Sequence, residues 1–254
     1  MNCPSEPNMQ NSQRPSMKPC LLAFMDVLGS KRIFEGSEER ITQYISSLHD
    51  IRDAMRDRTP DLKIMGFSDN IMLFTHDCSP ASFDTMMGSI ADIQLYCLID
   101  HRVLFRGGVS NKAMHTSEDL SIGHGLIEAY ELETKHAKTP RVIISSDIKH
   151  DSKFLSECKD DGWSFINYLE HTIEDGFPIE QRIIDHRNGI IHLINEFNQD
   201  DGMNLTVRDE SGAKYLWLIK YHNLFCDEYD IPYEIKYRVK RESGKMIIST
   251  KEGS

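Results

Sequence analysis

Two acids at the ends of strand-like segments are the first candidates for chemistry. Asp26 lies near the close of the apolar run CLLAFMDVLG (20–29), and Asp69 sits at the tip of KIMGFSDNIMLF (63–74), between two apolar stretches of strand length. One reading is local: Asp and Asn are ordinary turn formers, since their side chains bond the nearby backbone and tolerate left-handed geometry. The other reading is chemical. Two carboxylates brought side by side repel each other unless a cation neutralises them, and Mg²⁺ or Mn²⁺ with phosphate oxygens is the usual partner of such hard donors. The second reading requires a fold that sets Asp26 against Asp69.

The hydrophobic pattern predicts such a fold. Residues 20–29 read as a buried central strand that stops at Gly29. Residues 40–58 place Ile41, Tyr44, Ile45, Leu48, Ile51 and Met55 at helical spacing, and residues 82–100 do the same with Met86, Met87, Ile90, Ile93, Leu95 and Leu98. HRVLFRGGVS (101–110) reads as a further strand, followed by a polar loop, a helix over 122–136 and a short strand in RVIISS (141–146). The order β-α-β-β-α-β, then α-β, predicts an α+β fold with a ferredoxin-like core and an added unit. In that core the first strand and the central hairpin are neighbours, so Asp26 and Asp69 meet although far apart in sequence.

Bulk properties narrow the classes of function. A chain of 254 residues can bury a sizeable core. Its net charge of -11 argues against general attraction to nucleic acid or to an anionic membrane surface, so an anionic ligand needs a local device such as a metal ion or a nest of backbone amides. The six cysteines form no CxxC pair, which fits free thiols in a reducing cytoplasm and argues against structural zinc. No apolar run approaches the roughly 18 to 20 residues that span a bilayer, and the N-terminus is too polar for a signal peptide. A cytoplasmic protein is expected. Residues 1–17, rich in Pro, Ser, Asn and Gln, read as a disordered tail. Residues 148–254 read as a mainly helical extension packed on the core, with a helix over 178–197, a second apolar stretch in KYLWLIKYHNLF (214–225) and a polar end over 238–254 that frays. His171, His186 and His192 fall in this helical region and read as surface or capped residues, not as metal ligands.

FMDVLGSKRIF, KIMGFSDNIMLF, FRGGVS and SIGHGLIEAYELETKHAKTPRVIIS, in this order and spacing, resemble the catalytic domain of class III nucleotidyl cyclases. The likeness runs from about residue 19 to 147, giving a catalytic domain over 18–147, and is nearest to the bacterial pyrimidine nucleotide cyclases of the Pycsar anti-phage system. The resemblance implies that Asp26 and Asp69 hold two Mn²⁺ or Mg²⁺ ions together with the Val27 carbonyl. It also implies that Phe24 and the backbone of Leu28, Gly29 and Ser30 meet the nucleoside triphosphate. Gly29 allows close approach of the chain to an anion. A cyclase makes the ribose 3′-hydroxyl attack the α-phosphate of the same nucleotide, releasing pyrophosphate. Arg106 is the candidate to stabilise the charge that grows there, because Gly107 and Gly108 leave room for a ligand beside it. The alternative for Arg106 is a solvated or structurally paired strand residue. Lys135, Lys138 and Arg141 are weaker phosphate candidates.

Departures from the wider class bear on the base. Adenylyl and guanylyl cyclases place an Asn and an Arg one helical turn apart after the Gly that aligns with Gly123; here Ile127 and Glu131 stand in those places. Neither can do that work, which favours a nucleotide binder without turnover, and the purine-reading Lys and Asp of the class have no recognisable counterpart here, which puts purine specificity in doubt. The pyrimidine subgroup implies UTP, with CTP as the alternative, and a non-catalytic nucleotide binder is the rival class. Tyr130 either stacks on base or ribose or belongs to the core. Class III sites lie between two subunits, so the resemblance implies a homodimer, and its product implies a separate effector polypeptide that senses the cyclic nucleotide.

Overall fold

The computed structural model describes residues 16–35, 37–59, 61–116, 120–150, 152, 154–174, 178–200 and 205–251. The expected tail over 1–17 lies outside the described residues except for Ser16 and Met17, which are exposed.

A two-residue strand, β1 (Lys18–Pro19), leads into the central strand β2 (Leu22–Val27). There follow helices α1 (Ser30–Phe34) and α2 (Glu38–Arg58), the hairpin β3 (Lys63–Phe67) and β4 (Asn70–Phe74), helix α3 (Pro80–Tyr96) and strand β5 (Phe105–Ser110). Helix α3 starts where its local sequence dictates: Ser79 accepts a hydrogen bond from the Ser82 amide, and Pro80 occupies the first turn, where its missing N–H costs nothing. It ends in a π-helical turn (Cys97–His101) and a left-handed Arg102, so the strand expected over 101–110 begins only at Phe105. The four strands lie in the order β3-β4-β2-β5, all antiparallel neighbours, which is the ferredoxin-like arrangement.

Alternation along β2 divides the core into two layers. Ala23, Met25 and Val27 point into the main cluster with Met86, Ile90 and Ile93 of α3 and Tyr44 and Ile51 of α2. Leu22 and Phe24 point to the other face, where they meet Cys20, Phe74, Met114 and Ala129. That second face is covered by the segment after β5: strands β6 (Ala113–Thr116) and β7 (Ser121–Gly123), helix α4 (His124–Glu131) with a π-helical turn (Leu132–His136), and strand β8 (Val142–Ile144), parallel to β5. The polar loop expected after residue 110 thus contains β6 and β7, which pair with each other and with β1. These strands are short and half-exposed, so no apolar run announces them.

The sheet does not stop at residue 147. Strands β9 (Leu155–Glu157) and β10 (Ser164–Ile166) extend it to the order β3-β4-β2-β5-β8-β10-β9. Beyond them come α5 (Tyr168–Glu174), α6 (Ile179–Gln199) and α7 (Leu205–Glu228), then a hairpin of β11 (Lys236–Glu242) and β12 (Lys245–Lys251). The frayed end expected over 238–254 is therefore corrected through residue 251; residues 252–254 lie outside the described residues. The hairpin is ordered because Met246 and Ile248 alternate inward, and because the fully buried Arg208 of α7 donates to the carbonyls of Met246, Asp200 and Asn198. Asn198 of α6 adds a reciprocal pair of bonds with the Ile248 backbone. No helix among the described residues is long and apolar enough to cross a membrane.

Candidate active site

The register of β2 places Asp26 between two partners: Asn70 faces it on β4 and Arg106 faces it on β5. Asp69 precedes Asn70 in a two-residue turn whose first member, Ser68, is left-handed at φ 56°. The Asp69 carbonyl accepts from the Val27 amide at 3.2 Å, which fastens the hairpin tip to the end of β2. The sheet thus brings Asp26 and Asp69 together, and the turn-former reading of Asp69 holds as well, since it shapes the turn that carries it there.

The two carboxylates differ in environment. At Asp69 burial works against ionisation, but bonds from the Ser30 hydroxyl (2.5 Å), its own backbone amide and Ser68 outweigh it and hold the acid below the usual range. Asp26 is pushed up, first by burial and further by the charge of Asp69, while Arg106 opposes both. Arg106 Nε and Nη2 lie 3.2 and 3.1 Å from Asp26 Oδ2, and Nη2 lies 2.7 Å from Glu133 Oε1. Glu133 is 2% exposed, and burial raises its pKa against the pull of Arg106. Below the pair, the Tyr44 hydroxyl of α2 is buried without a hydrogen-bond partner among the described residues, and burial and then the charges of Asp69 and Asp26 raise its pKa. Lys214 of α7 shares this field: burial and Arg106 lower its pKa, and Glu210 and Asp26 pull it back up.

Several expectations meet a different outcome. Gly107 and Gly108 do not open room for a ligand. A Cβ on Gly108 would stand 2.4 Å from Leu132 Cβ and 2.5 Å from the Ala129 carbonyl, and one on Gly107 would stand 2.6 Å from the Phe24 carbonyl. Strand β2 fills the space beside Gly107, while α4 and its π-helical turn fill the space beside Gly108, where they rest directly on β5 and so carry Glu133 to Arg106. Leu28 was expected to offer its backbone to a triphosphate, but its amide donates to the Leu104 carbonyl at 2.8 Å. Gly29, left-handed at φ 82°, makes the turn into α1 and the hydroxyl of Ser30 is committed to Asp69. Tyr130 is half-exposed at 51%, so it is not core; its ring meets Phe24 edge to face at 5.6 Å. Among the weaker candidates, Arg141 is buried and paired with Asp161, Lys135 pairs with Glu131, and Lys138 donates to the Thr134 carbonyl. None of the three is brought to Asp26 by a direct contact. His186, expected at the surface, is fully buried; His192 is exposed.

Glu133, Tyr44 and Lys214 were not expected at the site. Tyr44 scored only as one apolar position of a helix. Glu133 had a legible signal: Gly125, Ala129 and Glu133 stand four apart, and the two small residues mark the helix line that presses on a strand. Lys214 opens the apolar stretch KYLWLIKYHNLF, whose pattern carries no sign of a charged group at a site.

The donor set suits a hard divalent cation: the Asp26 carboxylate on β2 and the Asp69 carboxylate in the turn fastened to the end of β2, both partly exposed, beside the Val27 backbone and an orphaned buried hydroxyl. No group of three or more His, Cys, Asp or Glu side chains among the described residues is arranged to hold a metal alone. A cation here would lean on substrate oxygens for the rest of its shell.

No family model matches the chain, and no curated protein matches it by sequence. Solved structures do. The monomeric guanylyl cyclase domain of the RhoGC fusion protein from the aquatic fungus Blastocladiella emersonii superposes with a TM-score of 0.50 at 16% identity, covering 60% of this chain and 96% of that one. The adenylyl cyclase CyaB from P. aeruginosa gives 0.46 at 14% identity, covering 60% and 94%. The first likeness shows the fold, that of a class III nucleotidyl cyclase catalytic domain, and leaves the rest of this chain without a counterpart there.

Proposed function

We propose that the chain is a nucleotidyl cyclase that converts UTP to 3′,5′-cyclic UMP and pyrophosphate. The observation that carries the reading is Asp26 on β2 with Asp69 in the hairpin turn fastened beside it, and with Arg106 against Asp26. Asp26, Asp69 and the Val27 carbonyl would hold two Mn²⁺ or Mg²⁺ ions, which lower the pKa of a ribose hydroxyl and bind triphosphate oxygens. Ser30 holds Asp69 ionised and oriented for that task. Arg106 supplies fixed positive charge beside the carboxylates, where the α-phosphoryl oxygens gain negative charge. Phe24 and Tyr130 form an aromatic edge on the same face, Tyr130 exposed enough to stack on ribose or base. The pyrimidine reading rests on the resemblance of the α4 segment to the pyrimidine cyclases; Ile127 is apolar and exposed and Glu131 is tied to Lys135, so neither supplies the amide and guanidinium of the adenylyl and guanylyl cyclases, which is the observation that favours the non-catalytic alternative.

The nucleotide made from an equal mixture of four triphosphates with Mn²⁺, identified by mass spectrometry, tests catalysis and base together. Cyclic UMP is expected. Cyclic CMP would move the assignment to CTP, and binding without product would make the chain a nucleotide-binding module. Asp26→Ala and Asp69→Ala should each abolish product while the far-ultraviolet circular dichroism stays unchanged; normal product from either overturns the mechanism. On the same reading the cyclic product acts through a separate effector polypeptide, so co-expression with that effector should restrict phage and Asp69→Ala should remove the protection at unchanged protein level.

A further inference from the structure

Arg106 is shared between two acids of different character. Asp26 is 20% exposed and borders the second carboxylate, Asp69, whereas Glu133 is 2% exposed and belongs to the π-helical turn after α4. A carboxylate buried to that extent is costly unless paired, and Arg106 is the cation beside it, in a close ion contact rather than a directed hydrogen bond, since Glu133 Oε1 has no hydrogen-bond partner among the described residues. The same Nη2 amine serves both acids, at 3.1 Å from Asp26 Oδ2 and 2.7 Å from Glu133 Oε1. At Asp26, however, a guanidinium and a divalent cation are rivals, because both seek the same lone pairs and repel each other.

We propose that Glu133 is a positioning residue that retains the Arg106 guanidinium beside the site when Asp26 turns to a divalent cation. The inference rests on the cation-binding reading of Asp26 and Asp69 given above. Its geometry is built into the chain: Gly108 lets the Leu132–Glu133 backbone touch β5, and π-helical turns recur where a helix must present a functional side chain. With a second acid in place, Arg106 can release Asp26 without being left unpaired. Without it, Asp26 is the guanidinium's remaining partner and the cation must compete for it.

The test is a double-mutant cycle on Mn²⁺ binding, measured by calorimetry on the full chain without nucleotide. Glu133→Gln should weaken Mn²⁺ by about tenfold, an ordinary coupling for neighbouring charged groups. In the Arg106→Gln background the same change should have almost no effect, because there is no guanidinium left to hold. A loss of equal size in both backgrounds would mean that Glu133 acts by its own charge or by structure alone, and overturns the proposal, as does unchanged affinity in Glu133→Gln. Where Glu133→Gln does not fold, Glu133→Asp serves: it keeps the charge but withdraws it from Nη2, and should also weaken Mn²⁺ in the Arg106 background only. A wild-type chain that binds no Mn²⁺ would remove the cation reading itself, and this inference with it.

Discussion

Asp26 and Asp69 were legible from sequence because each ends a run whose length and composition fix a strand, and the strand order then fixes their meeting. Glu133 was harder, since one acid in a polar helix end is indistinguishable from a solvated one until the helix is seated. What seats it is a single missing methyl group. Gly108→Ala would force a Cβ to within 2.4 Å of Leu132 Cβ and 2.5 Å of a backbone carbonyl, neither of which is a flexible side-chain end. The π-helical turn must lift, and Glu133 with it. The expected outcome is a loss of about 1–3 kcal/mol in chemical denaturation, as for other overpacked sites. If the chain has the proposed cyclase activity, its kcat should fall by more than the surviving folded fraction explains. A variant with wild-type stability would mean that α4 yields more easily than its backbone contacts with β5 imply. The two glycines illustrate why FRGGVS is not an open ligand berth: from sequence, a glycine that admits a ligand, one that admits a close strand (Gly107) and one that admits a helix (Gly108) look the same.

Among the elements, α2, α3, α6 and α7 were legible from apolar spacing, while β6, β7, β9 and β10 were not, because strands of three or four residues are too short for a period to show. The β11–β12 hairpin was hidden by its polar outer face. The helices of the extension are joined by a buried polar chain that no periodicity reveals. The Tyr233 carbonyl can only accept, so His222 Nε2 carries the proton of that 2.9 Å bond; His222 Nδ1 then accepts from His186 Nδ1–H at 2.9 Å, and His186 Nε2 accepts from the Tyr168 hydroxyl at 2.8 Å. These roles hold because both imidazoles are neutral: burial keeps both below the ordinary value, His222 at about 4. An unfolded chain takes up these protons as the pH falls through about 6.5, while the folded chain refuses them until well below that, so stability is full above about 6.5 and declines toward pH 4. Each refused proton contributes about 1.4 kcal/mol per pH unit in that window. Thermal melts of the wild type should fall more steeply between pH 7.5 and 5 than those of His186→Gln, which keeps polar contacts but removes one titrating ring. Parallel profiles would show that the pair does not set the acid limit.

At the scale of the whole molecule, a group of exposed apolar side chains flanks the site. Leu120, Ile122, Ile127 and Tyr130, on and around β7 and α4, are each more than half exposed, and Phe67, at the end of β3, is 73% exposed. The Phe24–Tyr130 contact and the bond from Ser121 to Met65 tie β2, β3, β7 and α4 into one surface beside Asp26. Exposed apolar side chains scattered singly need no explanation, but a group of them flanking a half-built site does. A second copy of the chain, related by a two-fold axis, would cover the group and complete both sites at once, which is the assembly we propose. Light scattering should then give twice the chain mass. Ile127→Asp, placed at a 59% exposed position where a monomer loses little by the change, should shift the mass to that of one chain and remove cyclase activity without lowering the melting temperature of the monomer. The wild-type specific activity should in turn rise with protein concentration in the dilute range, because the site would form only as chains associate. An active monomer, or an Ile127→Asp protein that is single-chain and fully active, would place every catalytic group on one chain and require the exposed face to serve another partner.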